Sequence, residues 1–162
     1  MNTSSPHRTA WSQIAPGDRD AWTAFRRAAA TVMARLERDL LEQSGIGYSD
    51  FDVLMQLSLA REESSRMADL ARAVALSPSA LTRLVQRLEH RGLVSRTHHR
   101  PTIVEVSLTA AGRKALNEAA PPHLQSVEAA FWAPLTTSER VAITSICGKI
   151  IKSATEISTP TA

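Results

Sequence analysis

The chain contains a single cysteine, and its 162 residues include no long apolar run. One cysteine, Cys147, excludes an intrachain disulfide framework and fits a reducing compartment. No apolar stretch approaches the ~20 residues of a membrane-spanning helix, and residues 1–7 lack the hydrophobic core of a secretory signal. We therefore expect a cytoplasmic protein with no membrane partner, in which Cys147 is a buried small hydrophobic residue rather than a redox sensor.

The sequence also has few of the patterns that catalysis or metal binding requires. Its six glycines form neither a phosphate-binding loop nor a nucleophile elbow. Glu62 and Glu63 are predicted to be a surface pair in a loop. His90, His98 and His99 have no cysteine or carboxylate nearby at a zinc-ligand spacing. The sequence thus predicts a protein that is not an enzyme and uses no cofactor or metal.

Lysine is scarce as well, since only three of the 19 basic residues are lysines. The net charge is +3. The arginines concentrate between residues 83 and 100, where the one acidic residue is Glu89. A modest global charge with a local cluster of arginines is typical of a protein that binds nucleic acid with one face. The arginines of this cluster are Arg83, Arg87, Arg91, Arg96 and Arg100.

Residues 77–92 carry the start and stop signals of a helix. Ser77 suits the N-cap, Pro78 the first turn, and Gly92 the position just past the end. At helical spacing one face is apolar, with Leu81, Leu84, Val85 and Leu88. Short polar side chains followed by arginines on the other face fit a DNA major groove, because small donors reach base edges and guanidiniums reach phosphates or guanine. That outer face consists of Ser79, Thr82, Arg83, Gln86 and His90.

The segments on both sides of this helix complete a recognisable unit. Residues 67–74 predict a short helix, and residues 75–77 the tight connection of a helix-turn-helix. Residues 92–96 lead into a strand, residues 97–101 form a polar tip, and residues 102–108 alternate as a second strand. A helix-turn-helix followed by a β-hairpin is a winged helix. The predicted fold class is therefore mainly α with a small β-hairpin wing.

Amphipathic helices flank the predicted winged helix. The first runs from Pro16 to about Gln43, and Pro121-Pro122 predicts a kink or short break in the helix that follows the wing. Polar residues predicted to cap the remaining helices are Ser49, Thr109, and Thr136 or Thr137. We expect the flanking helices to interlock with a second copy rather than only to pack on the winged helix. The predicted organisation is a loose N-terminus (1–16), a helical dimerisation region (17–45 and 110–155), a winged helix (48–109) and a loose C-terminus (156–162).

Five ordered segments carry a family resemblance, and they lie at residues 48–54, 70–71, 77–85, 88–94 and 108–113. Together they resemble the MarR (multiple antibiotic resistance regulator) family of winged helix-turn-helix transcription factors. The resemblance extends over about residues 20–152. It implies a homodimeric repressor or activator whose affinity for DNA is often relieved by a small molecule.

The wing departs from the pattern of many family members. Those members carry an Asp-x-Arg pair, in which the acid braces an arginine that enters the minor groove. Residues 98–102 contain no aspartate, and the wing is shorter by a residue or two. We expect Arg100 to be the minor-groove arginine and Pro101 to stiffen the tip by fixing φ.

Two sets of site residues are predicted. The DNA-binding set comprises Ser77, Ser79, Thr82, Arg83, Gln86 and Arg87 on the helix, with His98, His99 and Arg100 on the wing. Gln86 is the candidate for direct reading of a base, and Ser77 at the helix start for gripping a phosphate. The resemblance places an effector pocket between the dimer helices and the winged helix. An arginine among aromatic residues there suits an aromatic or anionic metabolite. The candidate lining comprises Trp22, Arg26, Tyr48, Phe51, Met55 and His123.

The sequence therefore predicts a ligand-responsive transcriptional regulator, with repression as the expected mode. It would act as a homodimer on an inverted-repeat operator in double-stranded DNA, with half-sites about one helical turn, ~34–36 Å, apart. Two alternatives stay open. A winged helix used as a protein-interaction module would bind DNA weakly and without sequence preference. An architectural DNA binder would share the salt dependence but lack an operator.

Overall fold

The computed structural model describes residues 10–100 and 103–156, with only the backbone of Ser12, His99 and Arg100. The two chain ends predicted to be loose, residues 1–16 and 156–162, lie mostly outside the described residues. Within the first of them, a 3-10 turn occupies Ala10–Gln13. The strands are β1 (Ser64–Arg66), β2 (Val94–Arg100) and β3 (Ile103–Leu108). The helices are α1 (Pro16–Ser44), α2 (Tyr48–Leu59), α3 (Met67–Ala73), α4 (Pro78–His90), α5 (Ala110–Val127) and α6 (Thr137–Glu156).

The winged helix predicted from the sequence is confirmed, with one additional strand. The antiparallel sheet has the order β1-β3-β2. The three residues of β1 are too few to show an alternating pattern, so the sequence did not predict this strand. Strand β2 is also longer than predicted, because its pairing with β3 continues until Arg100 lies opposite Ile103. Residues 97–100 therefore belong to the strand, and Pro101 and Thr102 of the predicted tip lie outside the described residues.

One apolar core joins α2, α3, α4 and the sheet. The predicted inner face of α4 is buried, and Val106 and Leu108 bring β3 into the same cluster. Burial of a leucine or valine side chain stabilises a fold by about 1.5–3 kcal/mol, so this cluster holds α4 firmly in place. The side chains with least solvent exposure in it include Val53, Leu54, Leu57, Leu70, Leu81, Val85 and Leu88.

Side-chain caps at three helix starts confirm most of the predicted boundaries. Ser77 accepts a hydrogen bond from the Ala80 amide, and Thr109 accepts one from the Gly112 amide at 2.9 Å. Thr136, not Thr137, caps α6 by accepting from the Glu139 amide. The prediction that Ser49 caps α2 is wrong.

Helix α2 begins one residue earlier than the predicted cap, at Tyr48, and its N-cap position is Gly47. A carboxylate from α1 supplies the missing acceptor, since Glu37 Oε2 accepts the Tyr48 amide hydrogen bond at 2.6 Å. Such a cap comes from 11 residues away and cannot be found by reading the local sequence.

Of the kink or short break predicted at Pro121 and Pro122, the break is wrong, because α5 continues through both residues. A proline inside a helix removes the hydrogen bond to the carbonyl four residues earlier. Those carbonyls belong to Asn117 and Glu118, which are exposed, so water can satisfy them. The helical irregularity lies further on, where residues Glu128–Trp132 form a π-helical segment.

The long helices differ in how much they contribute to the core. Helix α1 packs along α5, and its Leu36 and Leu40 are buried. Helix α6 has no buried residue along its described length. Cys147 on α6 is accordingly half-buried rather than buried. None of the described helices is long and apolar enough to cross a membrane.

The acidic pair before β1 is not simply a surface pair. Glu62 is exposed, whereas Glu63 is half-buried and accepts a hydrogen bond from Arg113 Nε at 2.9 Å. This contact lowers the pKa of Glu63 below its ordinary value. The turn that leads into β1 is thereby tied to α5.

Candidate nucleic-acid interface

Helix α4 presents a polar face outward because its opposite face is held in the core. All five residues predicted to point outward are exposed. Gln86 and Arg83 lie one turn apart on this face, and both side chains are exposed at the protein surface. The arrangement offers a side-chain amide and a guanidinium to an approaching partner. The exposed set is Ser79, Thr82, Arg83, Gln86 and His90.

The first turn of α4 is ordered by its own hydroxyl groups. Ser77 Oγ lies 3.3 Å from Ser79 Oγ, and the Thr82 hydroxyl donates to the Pro78 carbonyl at 2.8 Å. A helix start has free backbone N–H groups and a partial positive charge, which favour an anion such as a phosphate. Ser77 and Ser79 are exposed beside these groups.

The arginines of the basic cluster are not equivalent. Arg87 and Arg91 both bind the carboxylate of Asp50 on α2, at 2.5 and 2.8 Å. Sequence reasoning missed Asp50, although two arginines four residues apart on one helix face are a signal that one acidic group can bind both.

Closer to the wing, Arg96 Nε donates to Glu89 Oε2 at 2.8 Å. This hydrogen bond lowers the pKa of Glu89. Arg83 is the arginine of α4 that has no acidic partner within the part of the chain the structure describes. Of the predicted cluster, Arg83 therefore offers an unpaired guanidinium.

The wing places its histidines along β2. The side chain of His98 is exposed, and the backbone of His98 pairs with Val104. The strand is irregular between His98 and Arg100, where the pairing register shifts. The side chains of His99 and Arg100 lie outside the described part of the structure, so the predicted minor-groove contact of Arg100 stays a prediction.

Three of the predicted effector-pocket residues lie together. The His123 ring of α5 lies 4.5 Å from the Phe51 ring and 6.0 Å from the Tyr48 ring of α2, measured between centroids. Met55 is half-buried against the same core. Trp22 of α1 has its ring 6.3 Å from that of Phe25, and Trp22 and Arg26 are exposed.

Burial shapes the chemistry of this aromatic cluster. It lowers the pKa of His123, whose Nδ1 is buried and has no hydrogen-bond partner in the described structure. Burial also raises the pKa of Tyr48, with a further contribution from the nearby carboxylate of Asp52. The pKa of Asp52 is raised by burial, against a hydrogen bond with Gln56. A neutral imidazole beside two aromatic rings is an environment that suits an aromatic molecule more than a metal ion.

Comparison with known proteins gives one family and one fold. Residues 48–100 match the model of the MarR family. No curated protein sequence matches the chain significantly. The matched segment spans α2 to β2, which is the part of the chain that contains the helix-turn-helix.

Solved structures match over nearly the whole chain. AbsC, a MarR family transcriptional regulator from Streptomyces coelicolor, is 25% identical, with a TM-score of 0.82 over 88% of this chain and 97% of that chain. Sco3205, a MarR family regulator from the same organism solved in complex with DNA, is 25% identical, with a TM-score of 0.80 over 91% and 95%. BpsR from Bordetella bronchiseptica, whose DNA binding is regulated by 6-hydroxynicotinic acid, is 27% identical, with a TM-score of 0.69 over 81% and 93%. Residues 48–100 are therefore a MarR-family domain, and the chain as a whole shares the winged-helix fold of MarR family transcriptional regulators.

Proposed function

We propose that the protein is a ligand-responsive repressor that binds an inverted-repeat operator as a homodimer in the cytoplasm. The observation that carries the proposal is the outer face of α4, which is exposed, polar at its start and fixed from behind by a buried core. Because the core already fixes the helix backbone, α4 can enter a major groove without a further loss of backbone entropy.

Within this face, the residues have separate roles. Gln86 reads a base edge, with adenine as the expected partner, because an amide can donate and accept in one plane. Arg83 binds guanine or a phosphate, and Ser77, Ser79 and Thr82 approach the backbone at the helix start. On the wing, His98, His99 and Arg100 reach the adjacent groove. The complex of Sco3205 with DNA supports this use of the fold.

The dimer is supported by apolar surface that the single chain leaves uncovered. Trp22 and Phe25 of α1 are about half exposed, as are Ile146 and Ile150 of α6. Several large apolar side chains left exposed along a helix are characteristic of protein interfaces. We assign residues 17–45 and 110–155 to dimerisation and residues 48–109 to DNA binding. Twofold symmetry of the dimer then requires an inverted-repeat operator.

The effector site is proposed at the aromatic cluster of α2 and α5. Tyr48, Phe51 and His123 would form one wall of the site, together with Met55 of the same core, and Trp22 and Arg26 would complete it from a dimer helix. The regulation of BpsR by 6-hydroxynicotinic acid supports an aromatic acid as the effector class. A ligand that prefers one spacing of the two recognition helices would shift the population away from DNA binding.

The test is binding of the purified protein to the DNA upstream of its own gene and to a scrambled duplex, at two salt concentrations. A large preference for the upstream DNA, with an affinity that falls as salt rises, is expected. Arg100→Ala should weaken binding and flatten the salt dependence, and an unchanged salt slope would remove the wing from the interface. Aromatic acids would then be screened for release of the bound DNA.

Two outcomes would contradict the proposal. Equal affinity for both duplexes would favour an architectural DNA binder. Absence of binding to either duplex, in a protein that folds and dimerises, would favour a winged helix used for protein interaction.

A further inference from the structure

Asp50 is a buried acid at the back of the recognition helix. Its side chain is 5% exposed, and its two oxygens are each bound by a different arginine, Arg87 at 2.5 Å and Arg91 at 2.8 Å. The two contacts join α2 to α4 across 37 and 41 residues of sequence. One carboxylate thus binds two guanidiniums that lie one helical turn apart.

The two arginines are only partly withdrawn from solvent. The side chain of Arg87 is 56% exposed and that of Arg91 is 37% exposed. Without the carboxylate, both guanidiniums could turn toward a phosphate backbone. With it, one negative charge opposes the two positive charges and holds them at the α2 side of the helix.

We propose that Asp50 is a specificity-determining positioning residue, which restrains Arg87 and Arg91 and so limits binding to DNA of any sequence. This inference rests on the proposed DNA-binding function. Non-specific affinity comes from cations that displace counterions from phosphates, whereas base reading comes from the groove-facing side chains. Restraining two arginines lowers the first contribution and leaves base reading to Gln86, while the unpaired Arg83 can bind guanine in the operator or a phosphate in DNA of another sequence. Arg87 is then a partner of Asp50 rather than a primary DNA ligand.

The decisive variant is Asp50→Asn, which keeps the shape of the side chain and removes its charge. Asp52→Asn is the matched control, because it removes a carboxylate from the same helix without touching either arginine. The readout is the slope of log affinity against log salt on a scrambled duplex, where each additional phosphate contact steepens the slope by about 0.9. We expect Asp50→Asn to steepen the slope by about 0.9 to 1.8, to bind scrambled DNA more tightly at low salt, and to lose preference for the operator. Asp52→Asn should keep the wild-type slope.

A fold defect in Asp50→Asn would not end the test, because the arginines can be changed instead. Arg83→Gln should flatten the salt slope by about 0.9, and Arg87→Gln by clearly less, since Asp50 already holds Arg87. Equal flattening by the two variants would make Arg87 a phosphate ligand and overturn the proposal. A slope of folded Asp50→Asn equal to that of Asp52→Asn would overturn it as well.

Failure of the proposed function would look different. If the wild-type protein shows no preference for upstream DNA, the operator model fails, yet the slopes on scrambled DNA still decide the role of Asp50. Should neither duplex bind, the same four variants are compared by the salt concentration that elutes them from heparin, a polyanion without sequence. Earlier elution of Arg83→Gln than of Arg87→Gln, with later elution of Asp50→Asn, would support the inference there.

Discussion

The winged helix and helix α6 use apolar residues in opposite ways. Between α2 and β3 most of the large apolar side chains are buried, and Val53, Leu54 and Leu81 have no measurable exposure. Along α6 no residue is buried, and Ile146 remains 55% exposed. The winged helix has a core of its own, whereas the apolar side chains of α6 would be buried only by contact with another surface.

The hydrogen bonds show the same contrast. In the winged helix they connect distant segments, as where the Thr109 hydroxyl donates to the Gly92 carbonyl at 2.7 Å. The hydrogen bonds made by the described part of α6 are local, such as the cap in which Thr136 and Glu139 bind one another. Long-range contacts fix a tertiary arrangement, and local ones fix only a helix. The contacts of the winged helix therefore fix its own arrangement, whereas the proposed dimer interface is what would fix the position of α6.

The largest effect that would test this contrast comes from two helical glycines. One lies on α5 against the winged helix, and the other lies on α6. Gly112 of α5 is buried, and a Cβ there would overlap the Leu93 carbonyl oxygen and lie 2.9 Å from Leu108 Cδ1. Gly112→Ala should lower the free energy of unfolding by about 3 kcal/mol or more, because backbone cannot move aside easily. Gly148 of α6 has open space around it, so Gly148→Ala should raise the stability by about 0.5–1 kcal/mol through helix propensity.

Both glycine variants are measured by urea unfolding with the wild-type protein as reference. A tolerated Gly112→Ala would mean that α5 is not pressed against the end of β3 and the turn after α4. A strongly destabilising Gly148→Ala would mean that α6 is already closely packed, and the contrast between the regions would fail.

Local sequence patterns predicted most of this architecture. The features that they missed depend on contacts between residues far apart in the sequence. The start of α4 was predictable because Ser77, Pro78 and the buried stripe all lie within one helix. The role of Asp50 was not, since its partners are 37 and 41 residues away. Glu37, which replaces Ser49 as the acceptor at the start of α2, was hidden for the same reason. Pairing of β1 depends on β3, so its three residues carried no pattern of their own.

The second effect concerns the exposed stripe of α6 itself. Ile146 and Ile150 lie one turn apart and are 55% and 43% exposed. Changing both to glutamate should separate the proposed dimer, because its interface would have to bury two unpaired charges from each subunit. Since a single winged helix binds one half-site, operator affinity should fall by about 100-fold, or about 2.7 kcal/mol. Sedimentation and operator binding measure the two consequences.

A matched control removes the same net charge from the opposite face of α6. Ser145→Glu combined with Lys152→Gln should leave the dimer and its operator affinity close to wild type. Dissociation by the control alone would move the interface to that face. A dimer that survives both glutamates at Ile146 and Ile150 would show that α6 is not part of it.

The smallest effect probes the junction between the winged helix and α5, where His123 of α5 lies against Phe51 of α2. Burial lowers the pKa of His123 below its ordinary value of 6.5. The unfolded chain then takes up a proton before the folded protein does as the pH falls. The contribution of His123 to stability is therefore fully present above about pH 6.5 and is lost as the pH falls through the unfolded pKa toward the folded one.

Replacement of the His123 imidazole should remove this loss of stability at low pH. His123→Gln is compared with His90→Gln, which deletes an exposed histidine of α4, and the difference between their unfolding free energies is followed from pH 8 to pH 5. Relative to His90→Gln, the His123→Gln variant should lose less stability toward pH 5. A difference that is constant with pH would mean that the His123 ring is as well solvated as an exposed one. The junction between the winged helix and α5 would then be open to water, and the aromatic cluster could not form the wall of an effector pocket.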